Sequence, residues 1–267
     1  MSQPLVCISG VKKNYPGIGG DTLALDTLSL DIGEGQFVSV VGPSGCGKTT
    51  LMMMLAGLVP ASEGQIAIDG QVVQRAYTDL GIVFQDANLL DWRSIMRNVL
   101  LQVEIRGCET PAAVQRAREL LAMVGLSKFE DRLPHELSGG MRQRASICRA
   151  LVHQPRLLLM DEPFGALDAL SRDQLNLDLQ DIWLAHRTTV LFVTHSISEA
   201  VFMSDRVIVM TPHPGGIAAD FIIDLPRPRT MALRESPAFG AFTKRIRGVF
   251  EEHGILRREV APVGSVP

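Results

Sequence analysis

A short run of β-branched and aromatic residues, Phe37-Val38-Ser39-Val40-Val41, leads straight into Gly42-Pro43-Ser44-Gly45-Cys46-Gly47-Lys48-Thr49. No other stretch of the 267 residues narrows the fold as far. The run reads as a buried strand. Residues 49–58 after it are apolar and stop near Gly57, as a helix would. A strand, a G-x-x-x-x-G-K-[ST] loop and a helix form the context in which this pattern grips phosphate. The glycines let successive backbone N–H groups converge on one anion, and the positive end of the helix adds to them. Lys48 is expected to reach the β- and γ-phosphates, and the Thr49 hydroxyl to ligate Mg²⁺. The expected nucleotide-binding set is therefore Gly42, Pro43, Ser44, Gly45, Cys46, Gly47, Lys48, Thr49 and Thr50. The plainer reading, a glycine-rich turn with an exposed lysine, does not explain the elements on either side.

A phosphate loop needs acids to hold the metal and the attacking water. Leu157-Leu158-Leu159-Met160-Asp161-Glu162 supplies them at the end of an apolar strand. Ligands of open α/β sheets bind at those strand ends. Asp161 is expected to hold Mg²⁺ and Glu162 to orient or deprotonate water.

Along the chain, residues 5–9, 25–32 and 65–68 read as strands. Thr110-Pro111 caps a helix whose apolar positions are Val114, Ala117, Leu120, Leu121 and Val124, and Gly125 stops it. A further helix is expected over 140–153, before Pro155. Residues 156–160 and 189–193 read as strands separated by a helix that opens at Ser171, with Gln174 completing a capping box. This alternation predicts an α/β fold with a parallel sheet. Residues 86–154 read as a helical lobe inserted into it, and an amphipathic helix with Phe239, Phe242, Ile246, Val249 and Phe250 closes the chain.

Charge is nearly balanced, at a formal −3, so composition does not point to nucleic acid. The basic residues near the C-terminus, Arg227, Arg229, Arg234, Lys244, Arg245, Arg247, Arg257 and Arg258, are interspersed with acids and read as a solvated face. Cys7, Cys46, Cys108 and Cys148 show no metal-finger or CxxC spacing, which suits a reducing compartment. Residues 1–10 have no signal-peptide pattern, and no apolar run approaches the roughly 20 residues that span a bilayer. A soluble chain is expected, with any membrane role supplied by a partner.

Leu137-Ser138-Gly139-Gly140-Met141-Arg142-Gln143-Arg144 separates this chain from kinases and GTPases. It resembles the LSGGQ signature of the ATP-binding cassette (ABC) family, with Met141 where glutamine is usual. Physically, Ser-Gly-Gly at a helix start is a second anion site, although alone it is equally a capping turn. The resemblance runs from residue 5 to about 225. It implies a P-loop NTPase (RecA-like) α/β core with an N-terminal antiparallel β subdomain and an inserted helical subdomain. The implied division is residues 1–85 and 155–225 for the core, 86–154 for the helical insert and 226–267 for a C-terminal extension.

The same resemblance implies further site residues. Gln85 matches the glutamine loop that senses Mg²⁺ and water, Asp168 the loop that crosses a dimer interface, and His195 the switch histidine beside the γ-phosphate. Tyr15 matches the aromatic that stacks on adenine; alone it is as well explained by packing. Glu162, His195, Gln85 and Lys48 would be catalytic, and Thr49, Gln85 and Asp161 would face the metal. ATP and Mg²⁺ would bind between the Lys48 loop of one copy and Ser138, Gly139 and Gly140 of another.

Phe84-Gln85-Asp86-Ala87-Asn88-Leu89-Leu90-Asp91-Trp92-Arg93 and Leu225-Pro226-Arg227-Pro228-Arg229 look like the importer branch that serves nitrate, sulfonate and taurine. That branch implies a homodimer on the cytoplasmic face of a bacterial-type inner membrane. It would sit beneath two integral-membrane permease subunits and be fed indirectly by a solute-binding protein. Residues 86–99 would form the permease groove, with Trp92 and Leu90 either contacting the permease or filling the lobe's core. Two rivals remain: a soluble cassette ATPase of DNA repair or translation, and a phosphate-loop kinase or GTPase. The first usually carries two cassettes or a coiled-coil insertion, and the second does not explain the Ser-Gly-Gly motif.

Overall fold

The computed structural model describes residues 3–17 and 20–256, so Arg257 and Arg258 lie outside it. The first elements are β1 (Val6–Tyr15), β2 (Thr22–Ile32), β3 (Phe37–Val41), α1 (Lys48–Leu55), β4 (Glu63–Ile68), β5 (Gln71–Val72) and β6 (Leu80–Val83). Helices α2 (Ile95–Ile105), α3 (Pro111–Met123) and α4 (Gly139–Leu151) follow without an intervening strand. The chain then returns through β7 (Leu157–Asp161), α5 (Ala169–His186), β8 (Thr189–Thr194), α6 (Ile197–Met203) and β9 (Arg206–Met210). It continues through β10 (Ile217–Ile222) to α7 (Pro237–Glu252).

Two sheets result. The smaller is antiparallel, in the order β2-β1-β4-β5. The larger has the order β10-β9-β3-β8-β7-β6, parallel throughout except for β10 at its edge. Every residue of β3 is buried because both faces of the large sheet are covered. Alternation along the strand divides the core in two. Phe37 and Val41 pack with residues of α2–α7, whereas Val38 and Val40 pack with β1, β2, β4 and α1. The helices between β6 and β7 join the first of these cores through Val99, Leu120 and Ile147.

Several expectations change in detail. α1 begins one residue earlier than expected and ends at Leu55. α5 opens at Ala169, not Ser171: extended Asp168 is its N-cap, and its carboxylate accepts from the Ser171 amide at 3.0 Å. Trp92 is 77% exposed, which rules out the lobe core for that side chain. Leu90 is half-buried, and its backbone is clamped by buried Asn98 through bonds of 2.7 and 3.0 Å.

Arg229 also departs from the solvated-face expectation, being 1% exposed. Its guanidinium donates to the carbonyls of Val201, Phe202, Ser204, Ile223 and Leu225. Helix C-termini leave carbonyls unpaired, and here an arginine takes the place of water. Burial lowers its pKa to about 10, still high enough to keep the charge at neutral pH. Arg227 and Arg234 are half-buried as well, paired with Asp205 and Asp173, whereas Lys244, Arg245 and Arg247 are exposed, as a solvated face requires.

Candidate active site

Four adjacent parallel strands deliver the expected groups to one edge of the large sheet. β3 ends at Val41 and enters the phosphate loop, and Val41 pairs with Thr194 of β8, whose next residue is His195. On the other side of β8, Val193 pairs with Asp161, followed by Glu162. β6 pairs its Val83 with Met160 and ends two residues before Gln85. The backbone ladder thus sets the order: phosphate loop, His195, the two acids, Gln85.

The loop itself is built to face an anion. Gly47 is the N-cap of α1, at φ 93° and ψ 10°, and no side chain caps the helix. A Cβ at Gly47 would lie 2.5 Å from Leu25 Cδ2 and 3.0 Å from the Ala24 carbonyl, so only glycine fits there. The first-turn amides of an uncapped helix are donors that want an acceptor. Lys48 is 6% exposed, and its Nζ donates to the Gly42 and Pro43 carbonyls at 2.9 Å, which holds the cation within the loop. Orphan amides and an enclosed ammonium fit a phosphate chain.

Thr49 Oγ1 donates to Asp161 Oδ2 at 2.9 Å. Burial raises the Asp161 carboxyl above its usual range; the Thr49 bond opposes this, the neighbouring Glu162 charge adds to it, and Lys48 opposes it. A hydroxyl and a carboxylate are hard oxygen donors of the kind Mg²⁺ takes. Among the described residues no group of three or more His, Cys, Asp or Glu side chains forms a metal cage. Mg²⁺ bound here would therefore complete its shell with water and phosphate oxygens, its habit in nucleotide sites.

Glu162 has φ 45°, a left-handed conformation uncommon outside glycine. Three contacts fix it: its amide donates to Val193 O at 2.9 Å, its carbonyl accepts from Gly165 at 3.0 Å, and its Oε2 lies 3.1 Å from His195 Nδ1. Strained backbone held by several contacts is common where a side chain must be aimed. Because a carboxylate only accepts, Nδ1 carries the shared proton and Nε2 stays available. The Gln85 amide sits over Gly165, whose Cβ position is 3.2 Å from Gln85 Nε2.

The remaining expected residues stand on other elements, although Gly139 lines one cavity with Gln85. Ser138 caps α4, accepting from the Met141 amide at 3.3 Å. The nearest atoms to Cβ positions at Gly139 and Gly140 belong to Leu167 and Ser171, and none belongs to the phosphate loop. Asp168 caps α5. Tyr15 ends β1, 38% exposed, opposite Thr22 of the strand whose Ala24 and Leu25 abut Gly47. Lys13 Nζ stands 4.9 Å from its ring centroid.

Some participants escaped the sequence reading. Buried Gln143 donates to the Phe84 carbonyl at 2.9 Å and so ties α4 to the segment bearing Gln85. Arg172 pairs with Glu199 at 3.5 Å, and Glu199 accepts from the hydroxyl of Thr194, the residue before His195. Ser196 three residues before Glu199 was the available signal, since that spacing marks a capped helix.

The ABC transporter family description matches residues 25–165. This chain belongs to the ABC transporter family. It is 44% identical over 239 residues to a taurine import ATP-binding protein, TauB, of Rhizobium johnstonii, covering 88% of this chain and 91% of that one. A bicarbonate transport ATP-binding protein, CmpD, of Synechocystis sp. is 40% identical, covering 87% and 84%. A solved dimeric ATP-binding cassette in a post-hydrolysis state, bound to ADP and Pi, is 30% identical with a TM-score of 0.71. It covers 83% of this chain and 100% of that one. The P-loop NTPase fold and the ATP-binding, ATP-hydrolysing activity expected of the chain are borne out. The importer-type resemblance prevails over a soluble ATPase of repair or translation.

Proposed function

We propose that this chain energises uptake of a small nutrient, nitrate-, sulfonate- or taurine-like or a related solute, as a homodimer bound beneath two membrane permeases. A solute-binding protein outside the membrane would deliver the cargo, and the dimer would sit peripherally on the cytoplasmic face. The observation that carries the reading is the shared ladder that brings Lys48, Thr49, Asp161, Glu162, His195 and Gln85 to one sheet edge. The named importer relatives support the direction and the solute class.

In this reading the backbone N–H groups between Gly42 and Thr50, Pro43 having none, hold the phosphates together with Lys48, and Tyr15 offers a π-face to the base. Thr49, Asp161 and Gln85 would hold Mg²⁺, which supplies charge neutralisation at the β- and γ-phosphates. Glu162 accepts the proton of the attacking water, and His195, holding the Glu162 carboxylate through Nδ1, orients it. Ser138, Gly139 and Gly140 would close on the nucleotide of a second copy, with Asp168 crossing between them. That no phosphate-loop atom of the same chain is among the nearest neighbours of the Gly139 and Gly140 Cβ positions fits that division of labour. Residues 86–154 would act as the helical subdomain, 1–85 and 155–225 as the core, and 226–256 as part of the 226–267 extension. Exposed Trp92 supports a permease contact from the Asn98-clamped loop.

Glu162→Gln tests the reading. ATP affinity is expected to survive, turnover to fall by about 10²-fold or more, and an ATP-dependent dimer to accumulate in light scattering. Wild-type phosphate release from this variant would refute the assignment.

A further inference from the structure

Ser196-Ile197-Ser198-Glu199 has capping-box spacing, in which the glutamate turns back to the N-cap amide. α6 uses only half of that device. The Glu199 amide donates to Ser196 Oγ at 3.3 Å, but the Ser196 amide donates to Thr194 Oγ1 at 3.0 Å. The Glu199 carboxylate, 6% exposed, is thereby released inward. Its Oε2 accepts from Thr194 Oγ1 at 2.6 Å, and its Oε1 lies 3.5 Å from Arg172 Nε. Arg172 stands in the first turn of α5, and its Nη2 donates to the Leu167 carbonyl at 3.0 Å.

An unbroken set of contacts therefore joins two loops. It starts at Leu167, immediately before Asp168, passes through Arg172, Glu199 and Thr194, and ends on the backbone that carries His195. A buried ion pair is a weak source of stability. Its placement between two loops that leave neighbouring parallel strands gives it another use.

We propose that Arg172 and Glu199 are positioning residues that hold the Leu167–Asp168 turn and His195 in one mutual arrangement, so that a shift in the turn re-aims the histidine. The proposal rests on the reading of Glu162 and His195 given above. Arginine suits the task because its Nη2 bonds the Leu167 carbonyl while its charge stands 3.5 Å, at Nε, from the Glu199 carboxylate, two points that a lysine ammonium cannot meet together. The Thr194 hydroxyl suits its own place because it donates to Glu199 while accepting from Ser196, two roles valine cannot fill.

The test uses the full chain with Arg172→Lys, Thr194→Val and the double variant. ATPase rate is measured against ATP concentration, alongside ADP affinity and Tm. Each single change is expected to lower kcat by about tenfold while KM and ADP affinity stay within about twofold. The double variant is expected to resemble either single, because coupled residues are non-additive. Thr194→Ser is expected to restore the rate, and Glu199→Gln, which keeps an acceptor for Thr194 without the charge, to match Arg172→Lys. Additive losses in the double variant, or lowered Tm with unchanged kcat, would overturn the proposal. His195→Ala separates the two readings. Wild-type turnover in that variant beside a non-additive cycle removes the role of His195 and retains the Arg172–Thr194 coupling. Lost turnover beside an additive cycle removes the coupling alone.

Discussion

Gly47 and Gly45 stand two residues apart in the phosphate loop, both with positive φ, at 93° and 78°. An alanine at either position meets the left-handed penalty of roughly 1–2 kcal/mol. Their surroundings differ. A Cβ at Gly45 meets nothing within 4 Å, whereas one at Gly47 overlaps Leu25 Cδ2 and the Ala24 carbonyl. Neither neighbour can yield cheaply. Leu25 is fully buried, and the Ala24 carbonyl is held at 3.0 Å by the Gly215 amide. Such overpacking adds about 1–3 kcal/mol. Gly47→Ala is therefore expected to cost about 2–5 kcal/mol and Gly45→Ala about 1–2 kcal/mol. Both fit within an ordinary domain stability of about 5–15 kcal/mol, so both variants fold. Urea unfolding of the nucleotide-free proteins measures each loss directly. The steric argument is refuted if Gly47→Ala is as stable as Gly45→Ala, because the backbone conformation alone would then account for both.

Asp161 has its carboxyl pKa raised, first by burial. A raised pKa means that its stabilising contribution is present below the unfolded value and is lost as pH rises through the folded one. Asp161→Asn is accordingly expected to melt higher than wild type at pH 8, with the difference shrinking toward pH 4. A difference that grows on acidification would contradict this. Arg229→Met strands five carbonyls that now share one guanidinium, and a loss of roughly 3–5 kcal/mol is expected in denaturant unfolding. A loss under about 1 kcal/mol would mean that water replaces the arginine.

The phosphate loop and the strands at its sides were legible because they rest on local pattern: a buried run, glycines and a lysine in sequence. Asp161 and Glu162 were legible for the same reason, coming at the end of four apolar residues. Other features depend on partners distant in sequence. α6 has seven residues and is buried over most of its length, which leaves too little span for a helical period to show. The start of α5 was misread because Ser171 and Gln174 carry a valid capping spacing, while Asp168 already occupies the cap. Arg229 was grouped with the other basic residues near the C-terminus because nothing nearby in sequence announces the carbonyls of Val201, Phe202 and Ser204. Glu199 looks like half of a capping box until the Thr194 hydroxyl is seen to occupy the other half.

The ladder that joins β3, β8, β7 and β6 has a consequence for tolerance to change. Neighbouring strands lie about 4.8 Å apart whatever side chains they carry. The spacing among the lysine loop, the histidine, the acids and the glutamine is thus set largely by the peptide repeat. Core residues of β7 and β8 can be exchanged for others of matching volume and leave the chemistry in place. A single inserted or deleted residue in either strand changes the register, turns His195 or Glu162 to the opposite face, and dismantles the site in one step.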